Sequence, residues 1–268
     1  MPGLLQRQVQ ATIDELVAAG GEIGLQVAVT HAGRTVVDAA AGTADQRTGE
    51  PVTPATLFFA ASTGKGIASS VVHVLAERGE LAYDQRVADV WWRPRTMTGY
   101  HPLTFGFIVG ELVRRATGRT LAEVLRTRLA GPLGVAGELH FGVPGHLLAR
   151  VARAGPDGAA PPLPEPGSPL DRAIPAGVQP TAAFANHADV LLADIPSQGT
   201  MSARAAARLY AALLGYADGV NLVSPERPRT KAAPAFSGVD QVMGFPSEWA
   251  FGFSAAAAID DLVAGHYR

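Results

Sequence analysis

Ser62 and Lys65 are the residues whose types and spacing point most directly to chemistry. A serine hydroxyl is a weak nucleophile at neutral pH and needs a base within hydrogen-bond reach. If Ser62 opens a helix, Lys65 follows one turn later on the same face, and its amine can stand beside the hydroxyl. Lysine suits the role, because burial can lower its pKa until it accepts a proton, whereas arginine stays protonated. The chain uses lysine sparingly: Lys65 and Lys231 are the two lysines among 22 basic residues. The start of a helix also offers a positive end and free backbone N–H groups, which favour a developing oxyanion. The competing reading makes Ser62 a plain N-cap and Lys65 a solvated helix residue.

Tyr100 lies in Gly99-Tyr100-His101-Pro102, a loop that runs into a helical pattern. It could share a proton with Lys65, since a phenolate is stabilised by an ammonium; the alternative is a packed ring with an exposed hydroxyl. His101 reads as a wall of the site that touches substrate rather than as a base. Trp91, Trp92 and Trp249 are candidates for lining an acyl pocket, although large aromatics also serve as core. The remaining histidines (His31, His73, His140, His146, His187, His266) stand singly without metal-ligand spacing, so no metal is assigned. No Gly-x-Ser-x-Gly elbow occurs, and Gly64-Lys65-Gly66 lacks the earlier glycine and following hydroxyl of a phosphate-binding loop. No cofactor is called for.

Several elements must position these residues. An apolar stripe of Leu5, Val9, Ile13, Leu16 and Val17 predicts a helix over 4–19. Gly24–Thr30 and Arg34–Ala40 read as strands of a hairpin turned at His31-Ala32-Gly33. The apolar run Leu57 to Ala61 leads into Ser62, from which a helix extends to about Arg78, with Gly79 as its stop. Thr104 can cap a helix carrying Phe105, Ile108, Val109, Leu112, Val113 and Ala116 and ending at Gly118; Leu121–Leu129 makes another. Residues 154–180, rich in Pro, Gly and Ala, predict a long surface loop that could border a pocket. Ser202–Leu214 reads as a helix, Trp249–Ser254 as a strand and Ala255–Ala264 as a short terminal helix.

With 268 residues, nearly half of them apolar, the chain can bury a large core. Its 22 basic and 24 acidic side chains nearly balance, which argues against a nucleic-acid partner or an anionic membrane surface. It contains no cysteine, so disulfides and thiolate chemistry are excluded. Apolar runs such as Val71 to Ala76 fall far short of the roughly 20 residues that span a bilayer. Met1 to Gln8 has no basic start or long apolar stretch, and a cytoplasmic location is expected.

The decapeptide Thr56-Leu57-Phe58-Phe59-Ala60-Ala61-Ser62-Thr63-Gly64-Lys65 resembles the approach to the active-site serine in class C β-lactamases, family VIII carboxylesterases and related acyl-transferases of the penicillin-recognising, β-lactamase-like type. Arg78-Gly79-Glu80-Leu81-Ala82-Tyr83-Asp84 is similar to the family's next segment. Gly99-Tyr100-His101-Pro102-Leu103-Thr104 fits the place of its tyrosine loop, and Ile195-Pro196-Ser197-Gln198-Gly199-Thr200-Met201-Ser202 that of its loop before a late helix. The resemblance covers most of residues 10–135.

The resemblance and the order of elements imply an α/β (α+β) fold in one domain over 1–268: an antiparallel sheet flanked by N- and C-terminal helices, plus a mostly helical region. The sheet region would occupy about 1–60 and 240–268, the helical region about 62–235. The resemblance makes Ser62, Lys65 and Tyr100 catalytic; His101, Trp92 and Trp249 would contact a small-molecule acyl substrate. The implied function is hydrolysis or acyl transfer through an acyl-Ser62 intermediate, on esters or thioesters. Tyr100-His101-Pro102 lacks the asparagine that would steer a β-lactam amide, which favours esters over antibiotics. A β-lactamase or D-amino-acid peptidase, and a non-catalytic binding module of the same fold, are the alternatives. The family's third motif, Lys-Thr-Gly or an equivalent on a strand after Phe251-Gly252-Phe253, has no counterpart, and a helical stretch is short between Val90 and Trp91. Either the molecule is a reduced member, or the chain is interrupted at 90–91 and 254–255 with Cα separations well above about 3.8 Å.

Overall fold

The computed structural model describes residues 3–83, 97–156, 163–217, 219–231 and 233–254. Helix α1 (Leu4–Ala18) is followed by β1 (Gly24–His31) and β2 (Arg34–Asp45), antiparallel from Gly24↔Gly42 to His31↔Arg34. Their two-residue loop, Ala32-Gly33, has φ of 48° and 80°, the geometry that matches the right-handed twist of the flanking strands. Strand β3 (Glu50–Pro51) adds to β2. Ile13, with Val9 and Val17, packs on Val37, Ala39 and Ala41, so these three members of the stripe read from sequence cover this sheet, while Leu5 and Leu16 are exposed.

A second sheet positions the chemistry. Strand β4 (Phe58–Phe59), just ahead of Ser62, pairs antiparallel with a later strand, Thr200–Met201, which also pairs with Leu139–His140. Helix α2 (Thr63–Glu77) starts directly after Ser62 and is buried along most of its length, which is why its apolar residues do not fall on a single stripe. Helix α3 (Thr104–Thr117) begins at Thr104 with Leu103 at its cap position, one residue off the expected cap, and ends at Gly118 as predicted. Helix α4 (Leu121–Val124) has the capping box Thr120/Glu123 and runs on into a π-helical stretch, Leu125–Ala130. With the Ala203–Leu213 helix, capped by Ser202, these bury Ile67, Val71, Leu75, Leu121, Leu125, Leu129 and Leu209 in one core.

Between Leu139–His140 and Thr200–Met201 the chain forms α5 (Pro169–Ala173), α6 (Ala182–Ala185) and α7 (Ala188–Leu192). The first interrupts the predicted long loop, because Ser168 accepts a hydrogen bond from Asp171 N and Pro169 suits a first helical position. In chain order Leu139–His140 is β5, Thr200–Met201 is β6, Ala203–Leu213 is α8 and Glu226–Lys231 is α9. A hairpin of β7 (Phe236–Val239) and β8 (Pro246–Trp249) is the last of the described elements.

Among the described residues the single expected sheet is instead three small antiparallel ones, β1-β2-β3, β4-β6-β5 and β7-β8. The strand expected at Trp249–Ser254 ends at Trp249. Beyond it the chain doubles back through Gly252, at φ 91°, where Gly252 N donates to Ala250 O at 2.8 Å, and Ser254 returns to pair with Trp249. Trp91, Trp92, the predicted Ala255–Ala264 helix and the junctions at 90–91 and 254–255 lie outside the described residues. Among the described residues no helix is long and apolar enough to cross a membrane.

Candidate active site

Ser62 occupies the position before the first turn of α2, yet its side chain makes no capping hydrogen bond. Lys65 Nζ donates to its Oγ instead, at 2.8 Å. The hydroxyl lines a cleft instead of capping the helix, and the lysine, far from solvated, is 7% exposed. Burial lowers the Lys65 pKa to about 8, and among the described residues no carboxylate pairs with it. Nζ makes one further contact, donating to Ser197 O at 3.4 Å.

The approach to Ser62 is held firmly. Ala61 has a φ of 38°, a left-handed conformation that a non-glycine residue keeps only when its surroundings fix it. Here the strand pairing of Phe58 and Phe59 with β6, and Ala60 N donating to Gly199 O at 2.7 Å, supply that restraint. The loop 195–199 lies against α2 where Gly64 has no side chain. A Cβ there would lie 2.4 Å from the Gln198 carbonyl carbon and 2.5 Å from Gly199 N. Gly64→Ala is accordingly expected to push this loop away from Lys65, cost about 1–3 kcal/mol of stability and lower turnover. Thermal melts and initial rates check this, and an unchanged value in both would mean the loop is not seated as described.

Tyr100 comes from the loop ahead of α3. Its ring lies 4.8 Å from Lys65 Nζ and stacks on Trp249 with centroids 5.6 Å apart and planes 11° apart. Its side chain lines the same cleft as Ser62. Burial pushes the phenol pKa up, the Ser62 hydroxyl offsets part of this, and the Asp240 charge adds to the rise, which disfavours the phenolate considered for Tyr100 and fits the role of proton acceptor expected of Lys65. Tyr100 thus rests protonated, and Lys65 is the group made ready to lose its proton. His101 shares a 3.0 Å hydrogen bond between Nδ1 and Thr104 Oγ1; burial lowers its pKa, with Asp240 opposing.

These residues line one cleft of about 650 Å³, walled by Ser62, Lys65, Tyr100, His101 and Trp249 together with Phe253. Of the residues predicted for the site, Ser62, Lys65, Tyr100, His101 and Trp249 come together; Trp92 lies outside the described residues. No described residue of the 154–180 segment borders this cleft. Sequence reasoning missed Tyr210, which lines the cleft from α8, and the turn 250–254, which also lines it; the chain beyond Ser254, where the third motif was sought, lies outside the described residues. It also missed Ser197 and Asp240. Ile195–Ser202 was singled out as a family-like loop, which was the available signal for Ser197, while Asp240 heads a Gly-containing turn whose distant partner no local pattern reveals.

The chain is similar to several known proteins. Esterase/beta-lactamase LipL of Mycobacterium tuberculosis is 27% identical over 268 aligned positions, covering 76% of this chain and 62% of LipL, so the chain spans less than two thirds of that relative. A family VIII carboxylesterase crystal structure has the same fold, with a TM-score of 0.81 at 24% identity over 95% of this chain and 82% of that one. A penicillin-binding protein homologue from Caulobacter crescentus gives 0.78 at 28% identity, over 92% and 80% of the two chains. Residues 9–92 and 88–266 match the Beta-lactamase family. The chain belongs to the Beta-lactamase family.

Proposed function

We propose that the protein is a serine hydrolase acting through an acyl-Ser62 intermediate on small-molecule esters or thioesters. The observation that carries this reading is the 2.8 Å contact between Ser62 Oγ and a buried lysine whose pKa is lowered to about 8. As Oγ attacks the acyl carbonyl, Lys65 takes the hydroxyl proton and the new C–O bond forms. The leaving alkoxide or thiolate departs with a proton supplied by the Tyr100 phenol, which recovers one from the Lys65 ammonium. Water then attacks the acyl carbon, its proton passes to the same pair, and Ser62 Oγ leaves and is reprotonated. An alcohol or amine in place of water gives acyl transfer.

Ester chemistry is favoured over β-lactam hydrolysis because His101-Pro102 follows Tyr100 where an amide side chain would steer a lactam. The name of the Mycobacterium tuberculosis relative, which joins esterase and beta-lactamase, supports both the class and the comparison to be made. A fluorophosphonate probe is expected to add one covalent mass to the intact chain, and short p-nitrophenyl esters are expected to turn over faster than a chromogenic cephalosporin. Faster cephalosporin turnover would assign a β-lactamase, and no labelling at all would leave a binding module.

A further inference from the structure

Asp240 is wholly buried, at 0% exposure, and its Oδ1 accepts three backbone N–H bonds. Two come from its own turn, Val242 N and Met243 N at 2.9 Å each. The third comes from Tyr100 N at 3.0 Å, 140 residues away in the chain. Gln241 N donates to Thr98 O at 2.9 Å beside it, and Thr98 and Asp240 form a parallel bridge. Asp240 stands at one end of the β7–β8 hairpin, and Trp249, whose ring stacks on Tyr100, at the other. The hairpin therefore grips Tyr100 twice, by its amide and by its ring.

We propose that Asp240 is a positioning residue for Tyr100: its carboxylate fixes the Tyr100 backbone on the β7–β8 hairpin so that the phenol stands over Lys65 and Ser62. This inference rests on the acyl-Ser62 reading and adds to it the group that aims the proton donor. A loop tyrosine with rotatable torsions would otherwise hold the phenol in many places, and misplacing a proton donor by an ångström costs far more in rate than in stability. The choice of a carboxylate has its own consequence. Among the described residues, the titratable groups facing Tyr100 are Lys65, His101, Asp240 and the Ser62 hydroxyl. Asp240 is the negative member, and its charge helps to keep the phenol protonated. Among the described residues its second oxygen, Oδ2, is buried without a hydrogen-bond partner.

The test is a double-mutant cycle on the full chain with a p-nitrophenyl ester. Asp240→Ala is expected to lower kcat by about ten- to a hundredfold with KM nearly unchanged. In the Tyr100→Phe background the same change is expected to cost almost nothing, because the group it aims is gone. Equal losses in both backgrounds, or a change confined to KM, would overturn the proposal. Asp240→Asn keeps an oxygen acceptor for the three N–H groups while removing the charge. It is expected to recover most of the loss and to move the alkaline limb of the kcat profile to lower pH, a shift that vanishes with Tyr100→Phe. If Asp240→Ala does not fold, an unmoved alkaline limb in Asp240→Asn overturns the proposal by itself. A wild-type chain that neither labels with the fluorophosphonate nor turns over ester would instead sink the underlying acyl-Ser62 reading.

Discussion

Ser62→Ala is expected to reduce ester turnover by about a millionfold and to abolish fluorophosphonate labelling, with a melting temperature close to that of the parent. The two halves of this expectation come from one observation. A serine at the start of a helix normally caps it, and replacing a capping serine costs about 0.5–2 kcal/mol. The Ser62 hydroxyl caps nothing; it lines the cleft shared with Tyr100 and accepts a hydrogen bond from Lys65 Nζ. Removing it deletes the nucleophile and leaves the α2 start, the strained Ala61 and the β4–β6 pairing in place. Intact-mass analysis after probe treatment and a thermal melt check both halves. Retained labelling would move the nucleophile elsewhere, and a large fall in melting temperature would mean that the hydroxyl has a structural duty the geometry does not show.

Ser62 and Lys65 were legible in the sequence because their relation is local: one helical turn brings them together whatever the rest of the chain does. The α1 stripe, the β1–β2 hairpin and the stops at Gly79 and Gly118 were legible for the same reason. What escaped depends on contacts between distant segments. Ser197 O reaches Lys65 across 132 residues, and Asp240 reaches Tyr100 across 140. The β7–β8 hairpin is spelled Phe236-Ser237-Gly238-Val239 and Pro246-Ser247-Glu248-Trp249, where glycine and proline mask the strand pattern. The strand expected at Trp249–Ser254 was read from its aromatic residues alone. Gly252 instead makes a turn there, packed so closely on α2 that a Cβ would lie 2.0 Å from Ser69 Oγ. A phenolate beside an ammonium is a sound expectation in an open site, but burial penalises both charges and favours the neutral amine beside the neutral phenol.

That last point fixes the expected behaviour of Lys65. With its pKa lowered to about 8, the neutral amine is the minor form at pH 7 and the major form above pH 8. The rate should therefore rise about tenfold per pH unit below that value and level off above it. Lys65→Arg should lose nearly as much activity as Lys65→Ala, about a hundred- to ten-thousandfold, because a guanidinium keeps the charge and cannot give up its proton. Stability should move the other way. Folding holds this lysine in a place that disfavours its proton, so between about pH 8 and 10.5 the unfolded chain binds more protons than the folded one and stability rises with pH. Below that window the buried ammonium costs the fold about 3 kcal/mol. Lys65→Met, apolar and similar in length, should for that reason be inactive yet melt above the wild type at pH 7, with the gap closing as the pH approaches 10.5. An arginine variant that keeps most of the wild-type rate would reduce Lys65 to an electrostatic role. A methionine variant that melts below the wild type at pH 7 would show that the contacts to Ser62 Oγ and Ser197 O outweigh the cost of burying the charge, and that the lysine is held there for structure as well as for proton transfer.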